Sequence, residues 1–139
     1  VLDEKPELPA AKPVDPPADA VILPGEVGPF PIVHEVLADA GAAELYVGAW
    51  VGERGWIGTA MKSVRRGDVY RIAMEVHGST VPGSVVVRAT VDGFPGEIEP
   101  EAALTLRGQI ASIEPSSDIM VYPHVIELNP ATVVKFRNP

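Results

Sequence analysis

The chain has 139 residues, enough for one domain, and contains no cysteine, which excludes disulfides, zinc–thiolate and iron–sulfur sites and thiol catalysis. Its net charge of −8 opposes nonspecific attraction to nucleic acid or to anionic lipid. No apolar run reaches the ~20 residues that span a bilayer, so membrane attachment is expected only through a removed leader or through a partner.

Residues 1–30 read as a proline-rich, acidic arm. Residues 1–31 hold eight of the fifteen prolines, with six acids and two bases. Proline fixes φ and lacks a backbone donor, so neither a helix nor a central strand is expected there. The expected state is extended and polyproline-II-like. Val21, Ile22 and Leu23 break the polar pattern and are the candidate anchoring contact, on this molecule or on another. The sequence begins at Val1. A cleaved leader or a trimmed chain explains that start equally well, and the leader carries the expectation of an extracytoplasmic, envelope-associated protein.

Residues 31–139 read as one β domain behind a short helix. Pro31 suits the first turn of a helix over 31–40. In that helix Ile32, Val36 and Ala40 share a face with Val33 and Leu37 beside it, and Gly41 is the expected stop. The apolar period then changes to two. Leu45, Val47, Ala49 and Val51 alternate with Tyr46, Gly48 and Trp50, and Trp56–Met61 forms a second short run. Tyr70–Val76 and Val85–Val91 are clean alternating strands. Leu104–Ile110 follows, then Ile119–Leu128 interrupted by Pro123, then Thr132–Phe136. Turn chemistry separates them at 52–55, 66–68, 81–83, 92–93 and 115–118. Pro123 is expected at a strand edge or bulge, and Gly108 at a bulge or sharp coil. Six or seven strands at this spacing predict an all-β fold, a small barrel or a β-sandwich, with one short helix. An immunoglobulin-like sandwich fits the strand number but lacks its paired cysteines.

Two segments, Leu104–Ile113 and Val125–Val134, carry alternating apolar positions around Gly108. This pattern resembles the closing strands of small bacterial OB-fold domains. The resemblance implies that Ser84–Asp92 is the strand before the connecting segment and that Leu45–Met61 supplies the first coiled strand. It implies a barrel that binds oligonucleotides or sugars, or that serves as a structural module of envelope proteins.

Lys62, Arg65, Arg66 and Arg71 cluster near Trp56 and Tyr70 and form a candidate nucleic-acid patch. Solvated arginines around a turn explain the cluster as well. Nucleic-acid binders pair a basic groove with stacking aromatics, and eight aromatic residues on an acidic chain weigh against that role. Trp50 and Trp56 flank a glycine-containing turn. If the alternation around Trp50 holds, its indole is on the solvent face and suits an interface; in a barrel covered on both faces it is core.

No catalytic constellation stands out. His34, His77 and His124 lack metal-ligand spacing, and no metal or cofactor site is expected. Ser79 sits in Gly78–Gly83, which lacks a nucleophile elbow. Glu97, Glu99 and Glu101 crowd an acidic connection without the opposed geometry of a glycosidase pair. Arg66-Gly67-Asp68 is a chance tripeptide at a turn. The expected function is a non-catalytic structural or interaction subunit of a larger protein assembly, engaging partners through the arm and a barrel face. The alternative is an OB-type module for single-stranded nucleic acid or oligosaccharide.

Overall fold

The computed structural model describes residues 14–24, 27–76, 84–115 and 123–139. Helix α1 spans Pro29–Ala38, a 3-10 turn spans Ala40–Ala42, and the single-turn helix α2 spans Ala43–Tyr46. Among the described residues five strands follow: β1 Trp56–Arg66, β2 Val69–Val76, β3 Val85–Asp92, β4 Ala103–Glu114 and β5 His124–Arg137. They close into a barrel in the order β1-β2-β3-β5-β4. All pairings are antiparallel except β3 with β5, which run parallel. The fold is a closed barrel and not a sandwich.

Helix α1 starts two residues earlier than the sequence suggests. Pro29 and Pro31 both lie in the first turn, where backbone N–H groups have no intrahelical partner, so neither ring costs a helix bond. The helix stops at Asp39, before Gly41, because the Asp39 carboxylate accepts the Gly41 N–H at 3.0 Å and starts the 3-10 turn. Ile32, Val33 and Val36 are buried, whereas Leu37 and Ala40 are exposed.

The expected strand over Leu45–Val51 is not one. The run Ala40-Gly41-Ala42-Ala43-Glu44-Leu45 prolongs the helical segment, consistent with the helix propensity of alanine and leucine. Leu45 and Val47 are left exposed while Ala49 and Val51 are buried, so these four residues do not share a face. Only the end of the run is extended. Trp50 bridges Gln109 of β4 in antiparallel fashion and Ile22 of the arm in parallel fashion. Segment 49–51 and strand β1 therefore lie in succession along the same edge of β4. The turn Gly52–Gly55 bulges out between them, opposite Arg107. Gly55 has φ +73°, a conformation that residues bearing a side chain rarely adopt, and a Cβ there would lie 2.8 Å from the Leu106 carbonyl oxygen.

Five strands replace the expected six or seven for a second reason. The segments on either side of Pro130 belong to one strand. Gly108 pairs with Ala131 and Ile110 with Leu128, so Asn129 and Pro130 together oppose the single residue Gln109. This bulge accommodates a residue that cannot donate to the ladder. Gly108 sits at that irregularity, and Pro123 immediately precedes β5. The expected turns at 81–83 and most of 115–118, with residues 119–122, lie outside the described residues.

Inward-facing residues of all five strands fill the barrel. Ile72, Met74, Val87, Leu106, Ile126 and Leu128 are each at most 2% exposed. Side chains of this kind stabilise by about 1.5–3 kcal/mol each when fully buried. Ile32 and Val33 of α1 join the same cluster.

Candidate functional site

Alternation along β1 sorts its side chains into two sets. Lys62, Val64 and Arg66 point to one side of the strand and Ser63 and Arg65 to the other. The first set lines an open groove of about 700 Å³ across the outside of β1, β2, β3 and β5. Arg71 of β2 and Arg88 of β3 enter the same groove, whose apolar surface includes Val64, Val69 and Ala73. The pairing explains the convergence. Arg71 stands beside Val64 on β1 and Thr90 on β3, and Arg88 stands beside Ala73 on β2 and Glu127 on β5. Among the described residues, Glu127 is the one acidic residue lining the groove. Its carboxylate lies 3.9 Å from the Arg88 guanidinium, and both side chains are well exposed. The groove thus carries four cations and one partial counter-charge.

Arg65 departs from the expected patch. Its guanidinium donates to the Phe94 carbonyl at 2.8 Å and to the Gly96 carbonyl, and it lies 4.4 Å from the centroid of the Tyr70 ring. Tyr70 stacks on Phe94 at 5.4 Å, and its hydroxyl accepts the Ile98 N–H at 2.8 Å. Ser63 Oγ lies 2.9 Å from that hydroxyl and donates to the Ile98 carbonyl at 2.8 Å. Arg65, Ser63 and Tyr70 together fasten the connection between β3 and β4 to the barrel. Arg88 takes the place of Arg65 in the groove. The signal for it was the hairpin of β2 and β3, whose alternation sets Arg88 on the face of Arg71.

The two tryptophans are core residues. Trp50 is 5% and Trp56 4% exposed, so neither offers an indole to a partner. The barrel edge and the arm cover Trp50 on both sides, and Trp56 Nε1 donates to the Val27 carbonyl at 3.0 Å.

The arm's apolar triplet divides. Leu23 is buried, and its N–H donates to the Trp50 carbonyl at 2.8 Å; Val21 accepts the Trp50 N–H at 2.8 Å. Leu23 therefore anchors the arm on its own barrel, while Val21 and Ile22 remain exposed at 66% and 51%. A second tether lies nearer the start of the arm, where the Val14 N–H donates to Thr132 Oγ1 at 2.9 Å.

The remaining candidates do not assemble. His34 is exposed on α1 and His124 is fully buried at the start of β5; His77 and Ser79 lie outside the described residues. Glu97, Glu99 and Glu101 are exposed and alternate with the buried Ile98 and Ala102 or the exposed Pro100. Among the described residues no three His, Asp or Glu side chains converge on a possible metal position, and no helix is long and apolar enough to cross a membrane.

The fold and this face define a small closed β-barrel with a basic outer groove. No protein-family model matches the chain, and no curated protein or solved structure matches it either.

Proposed function

We propose that this chain is a non-catalytic interaction subunit that receives an acidic segment of a partner protein in the groove across β1, β2, β3 and β5. One observation carries the reading: Lys62, Arg66, Arg71 and Arg88 share one open groove on a chain whose net charge is −8. An opposite local potential on an acidic molecule steers an anionic partner to one place. Lys62 and Arg66 are four residues apart on one strand, about 13 Å, which matches a short extended segment. Exposed apolar residues line the same strand. Ile57, Met61 and Val64 are 68%, 43% and 41% exposed, and a strip of mixed apolar and basic character suits a protein surface.

A second reading, an OB-type module for single-stranded nucleic acid, has two supports. The ring order β1-β2-β3-β5-β4 is compatible with an OB-like barrel, and the groove lies over the β2–β3 face that such barrels use. Against it, no aromatic side chain among the described residues lines the groove, which leaves the described lining without a platform for stacked bases.

The test is a titration at low salt of the full chain with a labelled acidic peptide containing interspersed leucines, and in parallel with a dT oligonucleotide. Peptide binding that is lost in Lys62→Glu/Arg71→Glu supports the subunit reading. Binding of dT alone, with a log–log salt slope of about −0.7 per phosphate neutralised, moves the assignment to the second reading. Absence of both sinks the groove as a binding site.

A further inference from the structure

We infer that the cleft beneath the arm is a second binding site, for a small oxyanion such as a carboxylate or phosphate held by Arg107 and closed over by residues 14–23. This site is independent of the basic groove.

The cleft has a volume of about 640 Å³ and lies between the arm and the turn Gly52–Gly55. Asp15, Pro16, Ile22 and Leu23 form its arm side, Glu53 and Arg54 its turn side, and Arg107 reaches it from β4. Arg107 opposes the four-residue bulge, so the space above it is built into the barrel edge. Its guanidinium Nε is shielded from solvent and has no hydrogen-bond partner among the described residues. Buried polar groups in native proteins are paired as a rule, and an exception points to a water or ion that completes the site. The carboxylates of Asp15 and Glu53 line the same cleft yet leave that Nε–H unpaired. Both belong to residues exposed to solvent, as does Arg54. A guanidinium at the half-buried floor favours an anion, and its planar fork matches the oxygens of a carboxylate or phosphate. The rim carboxylates favour a ligand whose outer end carries hydrogen-bond donors.

The arm's tethers bracket this cleft. Val14 is bonded to Thr132, the cross-strand partner of Arg107. Leu23 is bonded to Trp50, the partner of Gln109 two residues further along β4. Between the tethers the chain turns at Pro17–Ala20, with the Ala20 N–H donating to the Pro17 carbonyl at 3.0 Å. The proline-rich segment therefore works as a strap pinned on both sides of Arg107. A ligand that contacts Arg107 and the strap together stabilises the closed state through binding linkage.

The test is NMR on the full chain. The Arg107 Nε–H resonance, assigned by its loss in Arg107→Lys, is followed during titration with sodium acetate, with sodium phosphate, and with sodium chloride at matched ionic strength. Hydrogen exchange of the Leu23 amide is read in the same samples. The expected result is a saturable shift of Arg107 Nε–H with acetate, phosphate or both, but not with chloride. With it, Leu23 protection rises about tenfold at a ligand concentration ten times Kd. The acetate and phosphate arms separate a carboxylate ligand from a phosphate ligand. An unmoved resonance means that water satisfies the Nε–H and overturns the proposal. A shift that chloride reproduces, or one that leaves Leu23 protection unchanged, overturns it too.

Discussion

Gly108 on β4 and Pro130 on β5 approach so closely that residue 108 has no room for a side chain. A Cβ there would press on the Pro130 carbonyl oxygen and lie 2.8 Å from the Cα of Ala131. The neighbours are backbone and cannot swing aside. Gly108→Ala is expected to destabilise the barrel by about 1–3 kcal/mol, the usual cost of overpacking. Urea denaturation checks it: the midpoint should fall while the m-value holds.

Tyr70→Phe removes a hydroxyl that accepts the N–H of the buried Ile98. The ring and its stacking on Phe94 survive the change. An unpaired buried donor costs about 1–3 kcal/mol, so a loss in that range is expected in the same denaturation experiment. A neutral effect would show that water replaces the hydroxyl.

Arg65 and Arg66 are adjacent in sequence and separate in role. Arg65→Met is expected to speed amide exchange in 94–98, because it removes the bonds to the Phe94 and Gly96 carbonyls, and to leave groove affinity unchanged. Arg66→Met is expected to do the reverse. Parallel exchange and binding measurements on the two variants check the assignment, and equal effects would refute it.

Glu127→Gln removes the acidic group that lines the groove. Exposed ion pairs contribute about 0–1 kcal/mol, so little change in stability is expected. Affinity for an anionic peptide should rise, because Arg88 loses its counter-charge. Calorimetric titration of the variant checks the direction.

Tyr46 donates its hydroxyl to the Glu35 carboxylate. That hydrogen bond, then modest burial, then the nearby negative charge raise the phenol above its ordinary value. The neutral phenol is the form the fold favours, so this contribution is present below the unfolded value of about 10 and is lost as pH rises through the higher folded value. Ultraviolet titration of the phenolate should show Glu35→Ala bringing Tyr46 back toward its ordinary value. An unchanged titration would remove Glu35 as the cause.

The alternation of Tyr70–Val76 and Val85–Val91 is legible because each strand buries one face and, Val86 apart, leaves the other partly or fully open to solvent. The same alternation misled over Leu45–Val51. There an alanine-rich lead-in favours helix, and Trp50 lies between the arm and β4, so side-chain period no longer reports burial. The strand through Pro130 reads as two in the sequence, because a bulge that tolerates proline depends on the partner strand. Three groove residues, Lys62, Arg66 and Arg71, were visible as a cluster in sequence. Arg65 groups with them by proximity in sequence, although strand alternation separates it from Arg66. Arg88 required the hairpin register. Arg107 and its cleft were not legible at all, since their walls come from the arm, a turn and a strand far apart in the chain.

The parallel neighbour of β3 and the antiparallel neighbour of β4 are the same strand, β5. Until residues 124–137 emerge during synthesis, β3 and β4 each present an unpaired ladder of N–H and C=O groups. Such edges template pairing with other chains. During synthesis there is therefore a stage at which the four earlier barrel strands are available to fold and the ring still has a gap. At that stage another nascent copy's β5, or a chaperone holding the gap, competes with the strand that belongs there.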